Sequence, residues 1–189
     1  MMDIRTASVG TIGGIVLAGG LSSRMGQDKA LLSWDGETLL ERSIRLLRES
    51  GAAPIRVSGP YAMFDGIPDR VERCGPLGGL YSVLSTLEDG WAWVLPVDMP
   101  RLEVGDLHRL RDAMLVSCAR FIGQPLPMLL NVDPNCRTLV ARLVQQGSGP
   151  RSLWRLQQEL GVHEVPIAAE AFARMVNCNT PGQWKDAVT

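Results

Sequence analysis

Residues 17–29 read Leu-Ala-Gly-Gly-Leu-Ser-Ser-Arg-Met-Gly-Gln-Asp-Lys, an apolar start followed by three glycines, two serines and one closing lysine. Glycine lets the backbone reach positive φ and brings N–H groups close to a ligand, so such a loop can fold around an anionic group. Arg24 and Lys29 add countercharge, with Lys29 as the mobile cation over a triphosphate. Neither G-x-x-x-x-G-K-[ST] nor G-x-G-x-x-G can be read in the stretch, which disfavours ordinary P-loop and dinucleotide folds. The competing reading is a glycine-rich surface loop.

Three further groups could do chemistry. Asp98 stands in Pro96-Val97-Asp98-Met99-Pro100, where two prolines fix the turn. A carboxylate there either ligates Mg²⁺, a hard cation satisfied by one carboxylate plus substrate phosphates, or stabilises the turn itself. Gly75-Pro76-Leu77-Gly78-Gly79-Leu80 is either an approach surface for a flat ligand or a plain tight turn. Asn177 and Asn179 are neutral oxygen donors that complete a metal shell opposite Asp98 or cap an element end.

Other residues read as bystanders. His108 and His163 have no carboxylate or nucleophile beside them, and Ser22 and Ser23 lack a G-x-S-x-G elbow. The five tryptophans are read as packing residues, none spaced as a stacking platform.

The loop must be positioned by the elements around it. Residues 14–18 are apolar on both faces, which predicts a central parallel strand with the glycine loop at its carboxyl end. Thr38 and Glu41 form a T-x-x-E capping box, and Leu39, Leu40, Ile44 and Leu47 then repeat at helical spacing until Gly51. Strands are expected at 55–58, 91–95, 119–122, 127–131 and 162–165. Helices are expected after the second glycine turn to about residue 88, and at 104–116, 135–146 and 151–160, with another begun by Thr180-Pro181. The order alternates, so the expected fold class is α/β, in one domain over residues 1–189.

Nineteen Lys and Arg against twenty Asp and Glu leave no basic block for a nucleic-acid backbone. Cys74, Cys118, Cys136 and Cys178 are too scattered for a zinc site or a redox pair, and read as reduced, mostly buried thiols. The apolar run 9–21 lacks a basic n-region and a cleavage site, and no run approaches the ~20 apolar residues of a membrane span. Together these point to a cytoplasmic protein.

Leu17-Ala18-Gly19-Gly20, Arg24-Met25-Gly26, Asp28-Lys29, Gly75-Pro76-Leu77-Gly78-Gly79, Val97-Asp98-Met99-Pro100 and Asn177-Cys178-Asn179-Thr180-Pro181 occur in one order. That order resembles the molybdenum cofactor guanylyltransferases, from about Ile12 to Thr180. The resemblance implies a Rossmann-like three-layer nucleotidyltransferase fold with a mostly parallel sheet. It also implies GMP transfer from GTP to molybdopterin with Mg²⁺, releasing pyrophosphate. Positions matching Leu17, Ala18, Gly19, Gly20 and Lys29 would meet the nucleotide, as would Asp69 and the Gly75, Pro76 and Leu77 turn. Asp98 would hold magnesium, with Asn179 as a second ligand, and Lys29, Arg24 and Asp98 would act in catalysis. Ser58 is also counted among the nucleotide-binding positions, though it stands where some relatives carry asparagine at the equivalent strand end.

A monomer is the expectation, with GTP and molybdopterin as substrates and molybdenum-insertion and molybdoenzyme-maturation proteins as candidate partners. Two rival readings are a sister enzyme using CTP or a sugar phosphate and a noncatalytic nucleotide-binding module. Similar cytidylyltransferases read Leu-Ala-Ala-Gly where this chain has Leu17-Ala18-Gly19-Gly20, and the missing side chain makes room for a purine.

Overall fold

The computed structural model describes residues 10–19, 28–114, 116–146 and 152–178. In chain order these form β1 (Gly13–Leu17), β2 (Ser33–Trp34), β3 (Glu37–Thr38), α1 (Leu39–Glu49), β4 (Ile55–Ser58), α2 (Gly75–Leu84) and β5 (Gly90–Pro96). Then follow α3 (Val104–Asp112), β6 (Cys118–Phe121), β7 (Met128–Val132), α4 (Pro134–Gln145), α5 (Leu153–Leu160) and β8 (Val162–Val165). Short 3-10 turns cover Lys29–Leu31, Ala62–Phe64 and Ala169–Met175.

Six strands make the central sheet in the order β4-β1-β5-β7-β6-β8. β1 runs parallel to both β4 and β5, β6 runs parallel to β8, and β7 alone is antiparallel to its neighbours β5 and β6. The sheet is thus mostly parallel, with one reversed strand. Sequence pattern does not carry that reversal, because a strand buried on both faces has the same apolar run in either direction.

Alternation along the strands divides the core in two. Val16, Trp93, Leu95, Ala119, Phe121 and Leu129 pack on one face with α1 and α3, through Leu39, Leu47, Leu107 and Leu110. Ile15, Leu17, Ala92, Val94, Met128 and Leu130 pack on the other with α2, α4 and α5, through Leu77, Leu80, Val140 and Leu156. Helix, sheet and helix are the three layers expected of a chain whose central strands are apolar on both faces.

Local signals set most boundaries. The Thr38–Glu41 capping box is formed, and the helix it opens ends at Glu49. Asp133 caps α4 through the Cys136 N–H at 2.7 Å, and Ser152 caps α5. The second glycine segment differs from its expectation. Residues 75–80 are not a turn before the helix but its opening turns, and α2 ends at Leu84 rather than near 88. Pro76 fits there because first-turn N–H groups have no intrahelical partner. α3 likewise stops at Asp112, short of 116. The expected helix start at Thr180-Pro181 lies outside the described residues, and so does Arg151 in the expected start of the 151–160 helix.

Candidate active site

The carboxyl ends of β1, β4 and β5 lie side by side, the place where ligands bind in open α/β sheets. They are laced together: the Ala18 N–H donates to Ser58 O at 3.2 Å, and the Val97 N–H donates to Leu17 O at 3.3 Å. Asp98 follows directly on β5. Lys29 Nζ comes within 3.5 Å of its Oδ2, both side chains being largely covered. Burial pushes the Asp98 carboxyl above the usual carboxylate range, and the Lys29 ammonium works against that rise. The first and second candidate groups of the sequence therefore meet.

Lys29 is held by a clamp that sequence reasoning missed. The Asp28 carboxylate accepts the Ala30 N–H at 3.0 Å and so caps the turn that begins at Lys29. The Tyr61 hydroxyl lies 3.0 Å from both oxygens of Asp28 and 3.2 Å from Ala18 O, linking that turn to the end of β1. Desolvation raises the Tyr61 pKa and the adjacent carboxylate adds to it, so the phenol stays protonated and keeps donating. Asp28-Lys29 was visible in the sequence, but nothing there pointed to Tyr61.

The turn after β5 is anchored from two sides. Arg42 Nε of α1 donates to Pro100 O, and the Cys178 N–H donates to Asp98 O at 2.8 Å. The segment carrying Cys178 is itself fixed upstream, where Arg174 forks onto the buried Asp106 carboxylate of α3, both contacts at 2.9 Å. Asn177 thereby enters the cavity that Asp98 lines, with its Oδ1 buried and lacking a hydrogen-bond partner. A neutral oxygen in that state, beside a carboxylate, suits a hard cation. Asn179, the asparagine expected to ligate, lies outside the described residues, as do Gly20 and Arg24. Among the described residues no three His, Cys, Asp or Glu side chains gather as a metal cluster. Asp98 and Asn177 would suit a hard cation such as Mg²⁺ only with further oxygens from a bound phosphate.

Among the described residues two cavities open at this edge. The larger, about 910 Å³, is lined by Gly19, Gly59, Pro60, Asp69, Arg73 and Gly75. Asp69 points toward Gly19: a Cβ built on that glycine would sit 3.3 Å from Asp69 Oδ1 and 3.2 Å from Ser58 Oγ. Desolvation raises the Asp69 pKa, the hydrogen bond from Ser58 opposes it, and Oδ1 is left buried without a partner. The smaller cavity, about 390 Å³, is lined by Pro76, Asp98, Pro125, Leu126, Trp154 and Asn177. Gly75 and Pro76 stand one in each cavity, so the start of α2 divides them.

The remaining expected residues fall in different places. Leu17 and Ala18 are buried at the end of β1. Leu77 is fully buried and lines neither cavity. Gly78 and Gly79 serve close packing rather than an open approach surface: an added Cβ would meet Cys74 Cβ at 2.8 Å and Ser58 Oγ at 2.3 Å respectively. Trp154, expected to pack, is 38% exposed at the smaller cavity. All four cysteines are buried and none forms a disulfide.

The family description "MobA-like NTP transferase domain" matches residues 14–164, from β1 to β8. The chain belongs to the MobA-like NTP transferase family. Within that family it is 46% identical, over 90% of its length and 91% of the relative's, to the molybdenum cofactor guanylyltransferase of Xanthomonas euvesicatoria pv. vesicatoria. A probable molybdenum cofactor guanylyltransferase of Opitutus terrae is 32% identical over 93% of this chain and 94% of that one. Among solved structures, the molybdopterin-guanine dinucleotide biosynthesis protein A of Archaeoglobus fulgidus superposes with a TM-score of 0.71 at 18% identity, covering 94% and 97% of the two chains. The 2-C-methyl-D-erythritol 4-phosphate cytidylyltransferase of Thermus thermophilus gives 0.67 at 17%, covering 94% and 97%. At such identities the likeness shows the nucleotidyltransferase fold alone. No helix among the described residues is long and apolar enough to cross a membrane.

Proposed function

We propose that this MobA-like NTP transferase carries GMP from GTP to molybdopterin, yielding molybdopterin guanine dinucleotide and pyrophosphate, as a single domain spanning the chain. The observation that carries the reading is the Lys29–Asp98 pair at 3.5 Å, on the strand edge where a larger and a smaller cavity adjoin. The 46% identity to the Xanthomonas guanylyltransferase supports the choice of substrates.

The larger cavity suits the base. An ionised Asp69 offers two acceptor oxygens, and guanine presents two adjacent donors, N1–H and the 2-amino group, that can meet both. Cytosine and adenine present a single amino donor beside an acceptor nitrogen, so a carboxylate repels part of their edge. Gly19 keeps the front of that carboxylate open. The unpartnered Oδ1 of Asp69 supports this assignment, since a buried acceptor left alone awaits a donor.

Between the cavities the chemistry is phosphoryl-group transfer, which depends on alignment and charge neutralisation more than on covalent help. An oxygen of the molybdopterin phosphate attacks the α-phosphorus of GTP, a new P–O bond forms, and the bond to the bridging oxygen of pyrophosphate breaks. The attacking oxygen is already anionic, so no general base is needed. Lys29 leaves its contact with Asp98 to neutralise the triphosphate; Arg24 and the glycine-loop N–H groups of residues 20–26, which lie outside the described residues, would share that task. Asp98 and Asn177, or Asn179, would hold Mg²⁺, which supplies Lewis-acid stabilisation of charge on the transferring phosphate.

The test is pyrophosphate release from purified protein with GTP, molybdopterin and Mg²⁺. Release that needs all three supports the reading, and none with saturating GTP refutes it.

A further inference from the structure

Arg120 of β6 is 4% exposed, and its guanidinium carbon lies 3.7 Å from the centre of the Trp154 ring. Nη2 donates to Glu164 at 2.7 Å, whereas Nε and Nη1 are buried without hydrogen-bond partners. A buried cation with two idle donors is an expensive floor for an ordinary surface tryptophan. A flat guanidinium under an indole does one thing well: it fixes the plane of the ring.

The fixed ring belongs to the smaller cavity, together with Pro76, Pro125, Leu126 and Asp98. One face of the Trp154 ring is covered by Arg120, and the residue is still 38% exposed. One turn further along α5, Gln157 Nε2 donates to Pro125 O at 2.8 Å and holds the adjoining wall. Asp98 lines the same cavity, so a molecule lying in it has its charged end at the reaction centre and its body against the indole.

We propose that Trp154 is a stacking platform for the fused ring system of the acceptor, with Arg120 beneath it as the positioning residue. The ligand class is a planar bicyclic or tricyclic heterocycle bearing a phosphate. The proposal rests on the function stated above, which makes molybdopterin the acceptor. Prolines and Leu126 supply the dry rim of the slot, and the phosphate reaches past Asp98 to Lys29. Arg120 does not touch the acceptor; it keeps the platform from turning.

The test uses Trp154→Leu, Trp154→Phe and Arg120→Met in the full chain. Molybdopterin, titrated anaerobically, should quench the tryptophan fluorescence of the wild type, and Trp154→Leu should lose most of that quench. In turnover assays Trp154→Leu should raise KM for molybdopterin about tenfold or more, with KM for GTP unchanged, and Trp154→Phe should recover most of the loss. Arg120→Met should raise the same KM with little change in kcat. Equal quenching and equal KM in wild type and Trp154→Leu would overturn the proposal, as would a loss of GTP-induced thermal stabilisation in that variant. If the wild type binds molybdopterin through Trp154 yet releases no pyrophosphate, the platform stands and the transferase reading falls.

Discussion

Replacing Asp69 by asparagine separates recognition from folding, because the two should move in opposite directions. The carboxylate has a buried, unpartnered Oδ1, and its pKa is raised chiefly by desolvation. A raised folded-state pKa means that the ionised form costs stability at neutral pH, a cost that shrinks as pH falls through the raised value. A neutral amide of the same shape removes that cost, so the variant should melt at the same temperature as the wild type or higher. For GTP the amide keeps one acceptor and turns an N–H group toward a guanine donor. Losing one charge-assisted hydrogen bond is worth about 1.5–3 kcal/mol, or roughly 10- to 150-fold in affinity. Pyrophosphate release gives KM for GTP, and nucleotide-dependent melting in Mg²⁺ gives binding without turnover. In the wild type, KM for GTP should also climb on acidification, beginning above the ordinary carboxylate range; in Asp69→Asn that limb should become shallower, leaving the share that comes from Asp98. A variant that binds GTP within threefold of the wild type, or that melts much lower, would refute Asp69 as the reader of the base.

Gly19→Ala places a methyl 3.2 Å from Ser58 Oγ and 3.3 Å from Asp69 Oδ1, so it should raise KM for GTP several-fold while leaving the melting temperature nearly unchanged, as checked by steady-state kinetics and thermal melting. Lys29→Ala should lower kcat by about 10²-fold, the scale for removing one group aimed at transition-state charge, and should affect folding far less. Asp98→Ala should abolish the dependence of turnover on magnesium together with turnover itself, measured by metal titration of pyrophosphate release. Burial pushes the Cys118 and Cys136 thiols up to about 12, so at pH 8 both should react with a thiol reagent only when the protein is unfolded.

Local signals carried much of the architecture. The capping box at Thr38, the two-faced apolar runs of β1 and β5 and the strands at 55–58 and 162–165 are formed where periodicity placed them. The reversal of β7 was not legible, since direction is decided by pairing across the sheet. In the site, Lys29 and Asp98 could be named in advance because each sits at the end of a recognisable strand or loop. Tyr61 reaches Asp28 across 33 residues, and Arg120 meets Trp154 across a similar stretch of chain. Neither pairing leaves a local trace, because an isolated arginine or tyrosine carries no sign of what will stack or close over it. Asn177 was weighed beside Asn179, and only the bond from Cys178 to Asp98 shows how that segment is brought back to the centre of the sheet.

That bond has a consequence for synthesis. The Cys178 N–H meets an acceptor laid down 80 residues earlier, 2.8 Å away, and Arg174 of the same segment docks on Asp106. A nascent chain can therefore pair β1, β4 and β5 while Asn177 is still inside the ribosomal tunnel. The β1–β5 edge of the sheet can thus form before the segment that completes the site arrives. Ribosome-bound chains arrested just short of residue 174 should resist proteolysis across the β1–β5 region yet be unable to turn over nucleotide, and chains extended until residues 174–178 clear the exit should gain that competence.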